Sequence, residues 1–264
     1  MAGAAKSEAR SQLPCSPSRP CTAQSLQYIA IPPRNWNGRD RLRVALWLHG
    51  YGRTAHIPAR NKKLVQVFDK HNFLFIAPSG YNKAWAVPGA PPTGRDDISY
   101  IADVLNDVGN HYPISRDDSV VLGFSLGASF VWTLACQRPD LFRYHIAIAG
   151  GFWRPHPKEC ATGPLNLLHI HGEKDGVVPL HGRKIGSRWY QGDVPQGLAF
   201  WRFTKGCEDF GQPYAGSGGS TCRNAQNCKS KQDTSIISCR HSGGHIVKPS
   251  WVNWALGQIA KAVK

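Results

Sequence analysis

A serine stands between two glycines in the Gly-x-Ser-x-Gly segment at residues 123–127. The preceding residues 119–122 are mostly apolar, and residues 128–136 after the segment have the composition of a helix. A serine at such a sharp strand-to-helix turn, called a nucleophile elbow, holds its hydroxyl clear of the sheet. Side chains at positions 123 and 127 would collide with the neighbouring strand and helix. The pattern therefore predicts Ser125 as a nucleophile, with a plain glycine-rich β–α turn as the alternative.

A serine hydroxyl attacks efficiently only when a base removes its proton. The chain has eleven histidines. We favour His245 as the base, because two glycines precede it and a helix is predicted after it. His241 is the alternative base. We interpret His49, His169 and His171 as core imidazoles, since they lie in or at the ends of apolar strands.

The base needs an acid that fixes its tautomer and stabilises its charged form. We favour Asp175, because the short turn at residues 176–179 lets its carboxylate point back toward the end of the preceding strand. Asp193, Asp97 and Glu173 are the alternatives. The resulting order of serine, aspartate and histidine along the chain is that of α/β-hydrolases, and it differs from the order in other serine hydrolases.

Attack by this serine would create an oxyanion, which backbone N–H groups can stabilise. We expect these donors to be Leu126, directly after the nucleophile, and Tyr51, in the loop after an earlier strand. The glycines at positions 50 and 52 allow this loop to come close. Together these groups predict acyl transfer through a covalent intermediate, with no cofactor and no metal.

Apolar runs alternate with helical segments along the chain, which predicts an α/β fold with a mostly parallel sheet and helices on both faces. In such sheets the site lies beyond the carboxyl ends of the strands, where the chemical groups above all fall. The predicted strands are residues 26–31, 42–48, 73–77, 119–122, 144–149, 165–170, 198–203 and 235–239. The predicted helices are residues 61–71, 95–109, 128–136 and 249–263.

The chain is strongly basic, with a formal net charge of +15 over 264 residues and a pI near 9.7. Such a charge predicts electrostatic association with anionic polymers. The basic residues are scattered and form no recognition helix, so specific nucleic-acid binding is disfavoured. Hydrophobic residues make up 41% of the chain, which supports a sizeable core. No apolar run is long enough to predict a membrane span.

Eight cysteines, an even number, indicate an oxidising compartment and therefore a secreted or periplasmic protein. A zinc site at Cys222, Cys228, Cys239 and His241 is disfavoured, because their spacing fits no usual structural zinc pattern. Spacing leaves the disulfide connectivity open. The pairing that it favours is Cys15–Cys21, Cys222–Cys228, Cys207–Cys239 and Cys136–Cys160.

Composition divides the chain into two parts. Residues 1–24 are rich in Ser, Pro and Ala and are predicted to form a flexible N-terminal arm. Residues 25–264 have no break in composition and are predicted to form a single catalytic domain. The first residues lack the apolar segment of a secretory signal, so we expect a mature form with an added start methionine.

Several segments resemble those of secreted bacterial α/β-hydrolases known as polyhydroxybutyrate depolymerases and feruloyl-esterase-like enzymes. The resemblance covers about residue 25 to the end. The elbow and acid-turn segments are general to the superfamily, whereas the Phe-Trp-Arg-Pro-His-Pro stretch is more particular. The segments that carry the resemblance are residues 48–52, 123–127, 152–157, 171–179 and 243–245.

The resemblance implies the α/β-hydrolase fold, with Ser125, Asp175 and His245 as the catalytic triad of a serine esterase. It implies an ester substrate outside the cytoplasm, either a polyhydroxyalkanoate-type polyester or oligomer, or a feruloyl or other aryl ester. One fold hosts many ester chemistries, so the family name does not fix the substrate. Two other functions stay open: a non-catalytic basic binding protein for acidic polymers, and an amidase or peptidase with the same triad.

Aromatic residues near the strand ends and in the long loop at residues 81–94 could line a pocket for an aryl acyl group or a polyester chain. Ligand pockets are mostly apolar with a few polar anchors. Packing in the core or in a lid is the alternative for each residue. The predicted substrate-binding residues are Tyr51, Trp85, Phe152 and Trp153.

Overall fold

The computed structural model describes residues 13–229 and 234–262 of the chain. Residues 1–12 of the predicted arm and Val263 of the predicted closing helix lie outside these ranges. The strands within them are β1 (Cys21–Ala23), β2 (Leu26–Ile31), β3 (Leu42–Leu48), β4 (Phe73–Pro78), β5 (Ile114–Phe124), β6 (Tyr144–Ile148), β7 (Leu165–Gly172), β8 (Arg183–Ile185), β9 (Trp189–Gln191), β10 (Tyr214–Ala215), β11 (Thr221–Asn224) and β12 (Thr234–His241).

Most of these strands form one large sheet in the order β1-β2-β4-β3-β5-β6-β7-β12-β11-β10. The six strands from β4 to β12 in this order run parallel to one another. The strands added at both edges are antiparallel. The predicted mostly parallel sheet is therefore confirmed. β8 and β9 pair as a separate hairpin.

Helices cover both faces of this sheet. Alternate residues of β3 pack into two different hydrophobic clusters, with Leu46 on one face and Trp47 on the other. Burial on both faces explains why β3 is a nearly continuous apolar run. None of the helices in the described ranges has the length and apolar character needed to cross a membrane. These helices are α1 (His56–Arg60), α2 (Lys62–Lys70), α3 (Asp97–His111), α4 (Leu126–Gln137), α5 (Val194–Thr204) and α6 (Pro249–Ala262).

The strand predicted over residues 198–203 is wrong, because this segment belongs to α5. Asp193 caps the helix: its side chain accepts the backbone N–H of Gln196 at 2.7 Å, and Pro195 occupies the first turn, where a missing N–H costs nothing. The buried residues at positions 194, 197, 198 and 201 recur with helical spacing. The cap and this spacing outweigh the β propensity of the apolar run.

Two of the four disulfides differ from the pairing that spacing favoured. Cys15–Cys21 and Cys136–Cys160 form as expected. The other bonds are Cys207–Cys228 and Cys222–Cys239. Cys222 and Cys239 lie directly opposite each other in the antiparallel pair of β11 and β12, which brings their sulfurs together. Spacing along the chain could not reveal this register.

The described part of the predicted arm, residues 13–24, is attached to the sheet. β1 pairs with β2, and the backbone N–H of Ala30 donates to the carbonyl of Cys15 at 2.7 Å. The Cys15 side chain is fully buried. These contacts do not support flexibility for residues 13–24.

The buried histidine of β6, His145, should make the free energy of unfolding depend on pH. Burial lowers the pKa of His145 from 6.5 to about 4. Below pH 6.5 this imidazole is therefore protonated in the unfolded chain but still neutral in the folded chain. The free energy of unfolding falls as the pH is lowered, until about pH 4. We expect this residue to account for about 2–3 kcal/mol of the loss between pH 7 and pH 4.5.

Urea unfolding of wild type and His145→Leu at both pH values tests this expectation. The variant should lose about 2–3 kcal/mol less stability than wild type on acidification. Any loss of packing in the variant cancels in this comparison, because it is present at both pH values. Parallel pH dependences of the two proteins would contradict the prediction.

Candidate active site

The Gly-x-Ser-x-Gly segment forms the corner between β5 and α4. Ser125 has φ 59° and ψ −124°, an unfavourable backbone conformation for a residue with a Cβ. Its backbone N–H donates to the carbonyl of Ile148 on the neighbouring strand β6 at 2.9 Å. Strained backbone of this kind is often associated with functional sites. The corner therefore has a strained backbone rather than that of a relaxed turn, as the predicted elbow requires.

Three glycines leave the space that this corner needs. A Cβ on Gly123 would overlap the backbone of Gly127, and a Cβ on Gly127 would overlap the carbonyl of Leu48 on β3. A third glycine, Gly150 after β6, faces the carbonyl of Ser125 in the same way. The steric role predicted for the two flanking glycines is confirmed. The third glycine was not identified from the sequence, because its contact comes from a different strand.

His245 and Asp175 meet beyond the carboxyl ends of β12 and β7. His245 Nδ1 lies 2.7 Å from Asp175 Oδ2. A carboxylate only accepts, so Nδ1 carries the proton, and Nε2 of a neutral imidazole is left as the acceptor. The Asp175 side chain is fully buried, whereas 14% of the His245 side chain is exposed. The basic nitrogen, His245 Nε2, therefore lies on a partly exposed ring, whereas the carboxylate of Asp175 is buried.

Asp175 is held as an anion by donors on both of its oxygens. Oδ1 accepts the backbone N–H groups of Val177 at 2.9 Å and Val178 at 2.8 Å. Burial alone would raise the pKa of this carboxyl, but the hydrogen bonds from His245 and from these two backbone groups hold the pKa below its usual range. The short turn after Asp175 thus supplies two of the donors that keep it charged.

The loops that carry the acid and the histidine are hydrogen-bonded to each other. The backbone N–H of Glu173 donates to the carbonyl of His241 at 2.8 Å, and that of Lys174 donates to the carbonyl of Gly243 at 3.0 Å. A Cβ on Gly172 would overlap the carbonyls of Gly243 and Gly244. These contacts fix the spacing between the two loops and hence the His245–Asp175 distance.

Ser125 lies near this pair without being bonded to it. The ring of Phe124, the residue before the serine, lies 4.7 Å from the His245 ring, centroid to centroid. Within the described residues, Ser125 Oγ forms no hydrogen bond with His245. Catalytic hydrogen bonds are often long in enzymes without substrate. The structure therefore brings the predicted acid and base together and places the predicted serine beside them.

The loop after β3 lies against the elbow. A Cβ on Gly50 would be only 3.3 Å from that of Ser125. Among the described residues, neither the backbone N–H of Tyr51 nor that of Leu126 donates a hydrogen bond. Both groups are therefore available to a ligand oxygen, which the predicted oxyanion role requires.

His49 anchors this loop from inside. Its Nε2 accepts the backbone N–H of Gly80 at 2.9 Å, so Nδ1 holds the proton and donates to the carbonyl of Gly50 at 2.9 Å. Burial lowers the pKa of His49 to about 4, although the bond to Gly50 opposes this shift. A neutral, fully engaged imidazole cannot serve as the base, in agreement with the interpretation of His49 as a core histidine.

Two further buried histidines lie at the acid turn: His171 contacts it directly, and His169 contacts His171. His171 Nε2 donates to the carbonyl of Val178 at 2.8 Å, and it lies 3.6 Å from Asp175 Oδ2. Its Nδ1 lies 3.1 Å from His169 Nε2. Burial lowers the pKa of both imidazoles, that of His171 to about 4. The contact of His171 with the acid turn was not recognised in the sequence.

The alternative bases and acids have other partners. The ring of His241 packs on Trp251 at 4.4 Å between centroids. Asp193 caps α5 and accepts from His181 Nδ1 at 2.8 Å. Asp97 is buried and accepts the backbone N–H of Ala86 at 2.7 Å. None of these contacts connects an alternative residue to His245.

Only one of the four predicted pocket aromatics is open to solvent. The exposed fraction is 75% for Tyr51, 1% for Trp85, 6% for Phe152 and 8% for Trp153. Trp85 stacks on Phe130 and donates to the carbonyl of His49 at 2.8 Å. The placement of the three buried aromatics does not support a pocket role and agrees with the packing alternative.

Two apolar side chains at the site were missed. Val177 is 47% exposed two residues after Asp175, and Ile246 is 41% exposed directly after His245. With Tyr51 they form what we call the apolar rim: one exposed apolar side chain on each of the loops that carry the predicted oxyanion donor, the acid and the base. The sequence signal that could have identified them is their position within two residues of Asp175 or His245.

Comparison with known sequences finds esterases. The chain is 29% identical to feruloyl esterase C of Emericella nidulans over 191 residues, which are 71% of this chain and 62% of that protein. It is 25% identical to a probable feruloyl esterase C of Aspergillus clavatus over 244 residues, 89% of this chain and 80% of that protein. The chain thus spans less than two thirds of the Emericella relative. No model of a known protein family matches the chain.

Solved structures share the fold. Acetyl xylan esterase from Aspergillus awamori aligns with a TM-score of 0.63 at 12% identity, covering 89% of this chain and 94% of that chain. Bacillus cereus carboxylesterase aligns with a TM-score of 0.58 at 12% identity, covering 90% of this chain and 95% of that chain. The chain has the α/β-hydrolase fold, as predicted. Both sequence relatives and both solved structures are named as esterases.

Proposed function

We propose that this chain is a serine carboxylic ester hydrolase in which Ser125, His245 and Asp175 form the catalytic triad. The observation that carries the proposal is the 2.7 Å contact between His245 Nδ1 and Asp175 Oδ2, at the sheet edge that also holds the strained Ser125. An acid–base pair beside a serine elbow is the arrangement that activates a serine hydroxyl. The feruloyl esterase names of the sequence relatives support ester hydrolysis.

The reaction has two halves. Ser125 Oγ bonds to the ester carbonyl carbon while its proton passes to His245 Nε2. The N–H groups of Tyr51 and Leu126 stabilise the resulting oxyanion. The intermediate collapses by breaking the bond to the alcohol oxygen, which receives the proton from His245. Water then attacks the acyl-enzyme by the same route and releases the acid and free Ser125.

The substrate class that we propose is a feruloyl or other aryl ester outside the cytoplasm. The apolar rim of Tyr51, Val177 and Ile246 offers an aromatic acyl group exposed apolar surface on the loops that carry Asp175, His245 and the predicted oxyanion donor. Four disulfides favour an oxidising compartment outside the cytoplasm. The net charge of +15 favours retention on anionic polymers at low salt.

The test is the intact mass after treatment with a fluorophosphonate, which labels activated serines. We expect one adduct on wild type and none on Ser125→Ala. Ser129, which lies one helical turn away in α4, supplies the matched control: Ser129→Ala should still be labelled. Absence of an adduct on folded wild type would contradict the proposal and favour a non-catalytic binding protein.

A panel of substrates then separates the remaining alternatives. Matched feruloyl, p-nitrophenyl and hydroxybutyrate esters distinguish an aryl esterase from a polyester hydrolase. A feruloyl amide of the same acyl group tests the amidase alternative. We expect the feruloyl ester to be cleaved with the highest kcat/KM. Faster cleavage of the amide or of the hydroxybutyrate oligomer would overturn the substrate assignment while leaving the serine mechanism intact.

A further inference from the structure

A cleft of about 520 Å³ lies between α5 and the sheet surface formed by β11 and β12. Three arginines line it: Arg202 from α5, Arg223 from β11 and Arg240 from β12. We call this space the arginine cleft. Its volume is within the range of about 300–1,000 Å³ that is typical of sites for small organic ligands. The residues proposed for ester hydrolysis are not among those that line it.

Strand register places two of the arginines on one face of the sheet. Arg240 lies opposite Thr221, and Arg223 lies opposite Ser238. Opposite residues of an antiparallel pair project from the same face, so these four side chains form the floor of the cleft. The Cys222–Cys239 disulfide projects from the other face and ties the two strands in this register. The spacing of the two arginines along the backbone is thus built into the fold.

The third arginine is held across the cleft. Arg202 Nη1 donates to the carbonyl of Glu208 at 3.0 Å and pairs with Asp209 at 3.0 Å. Its guanidinium carbon lies 5.2 Å from the centre of the Phe210 ring. Within the described residues, its Nε is buried and has no hydrogen-bond partner. One donor of a well-fixed guanidinium is therefore unused.

The positive charge of the cleft is not neutralised from within. Among the residues that the structure describes, neither Arg223 nor Arg240 forms an ion pair or a side-chain hydrogen bond. Arg202 is paired with Asp209, and Glu173 is the single carboxylate among the lining residues, against the two guanidinium groups of Arg223 and Arg240. Burial lowers the pKa of Arg240, and nearby Glu173 and Asp193 only partly offset this. An anion in the cleft would relieve this imbalance.

The other lining groups indicate what kind of anion fits. Arginine binds carboxylates with two parallel hydrogen bonds. Thr221 and Ser238 add hydroxyl groups on the floor, and Phe210 adds an aromatic surface at the wall. An acidic sugar has the complementary features: a carboxylate for the guanidinium groups, hydroxyls for Thr221 and Ser238, and a ring for Phe210. We propose that the arginine cleft binds the carboxylate of a uronate residue in an acidic oligosaccharide.

The position of the cleft connects it to the proposed active site. Glu173 lines the cleft and lies two residues before Asp175 in the same loop. A bound acidic polymer would therefore run close to the loops that carry the acid and the base. Binding in the cleft does not depend on the proposed ester hydrolysis, and the two can be tested separately.

The experiment is calorimetric titration of the full chain with trigalacturonate in low salt, with neutral galactotriose as the matched ligand. We expect binding of trigalacturonate alone. Arg223→Gln and Arg240→Gln should each lower the affinity about 10- to 100-fold, the usual effect of losing a charged hydrogen bond. Arg39→Gln, which removes the same charge at an exposed turn before β3, should change it less than about twofold.

Three results would overturn the proposal. They are failure of trigalacturonate to bind wild type, equal losses in Arg39→Gln and the cleft variants, and displacement by inorganic phosphate at equal charge concentration, which would indicate a general anion site. The rate of hydrolysis of a p-nitrophenyl ester and the free energy of unfolding in urea should be the same in the variants as in wild type. These two controls show that the variants fold. If wild type binds trigalacturonate but cleaves no ester, the proposed function fails and the cleft assignment stands.

Discussion

Asp175→Asn should lower kcat/KM for ester hydrolysis by about 10⁴-fold while leaving the protein folded. The carboxylate accepts the proton on His245 Nδ1 at 2.7 Å, which leaves Nε2 free to act as the base. An asparagine can turn its NH₂ group toward Nδ1 and so favour the tautomer with the proton on Nε2. That nitrogen then cannot accept the serine proton. Steady-state kinetics on a p-nitrophenyl ester measure the effect.

The alternative acids supply matched controls for this substitution. Asp97→Asn and Asp193→Asn each neutralise a buried carboxylate that serves another part of the fold. They should change stability and leave kcat/KM within about threefold, because neither side chain contacts the base. A loss near 10⁴-fold in either control, or a fully active Asp175→Asn, would assign the acid elsewhere.

Gly127→Ala should be among the most destabilising small substitutions in the chain. The added methyl group would overlap the carbonyl of Leu48 and the carbonyl of His49, and both belong to buried backbone. Backbone cannot move aside as a flexible side chain can, so this overlap can be removed only if β3 and α4 separate. We expect a loss of at least about 3 kcal/mol in the free energy of unfolding, measured by urea titration.

Gly257→Ala provides a comparison with the opposite sign. Gly257 lies within α6, and a Cβ there would have no neighbour within 4 Å. Alanine is favoured over glycine inside helices, so this variant should gain up to about 1 kcal/mol. If both alanines shift stability in the same direction, the close packing of the elbow against β3 is not what requires glycine at position 127.

The sequence was most informative where function depends on neighbours along the chain. The elbow is an example, because Gly123 must leave room for Gly127 only four residues later. Strand ends could be located from apolar runs, and this placed Asp175 and His245 at one edge of the sheet. Their contact follows from parallel neighbours, β7 and β12, that end together.

Features that depend on distant contacts were less accessible. Trp85 is buried against Phe130 of α4, which no local pattern indicates. The strand before the elbow begins at residue 114 rather than 119, because its polar first half pairs with the start of β3. The Cys222–Cys239 bond depends on a register between strands that sequence spacing does not encode. In each case the deciding interaction is tertiary.

The disulfides of the polar segment between residues 207 and 239 also change how the chain responds to proteolysis. Cys207–Cys228 and Cys222–Cys239 interleave along the chain rather than following one another. A cut before Cys222 is spanned by the first bond, a cut after Cys228 by the second, and a cut between these two cysteines by both. A protease that nicks this segment once therefore leaves a two-chain molecule that still holds every residue, and in which β12 stays tied to β11.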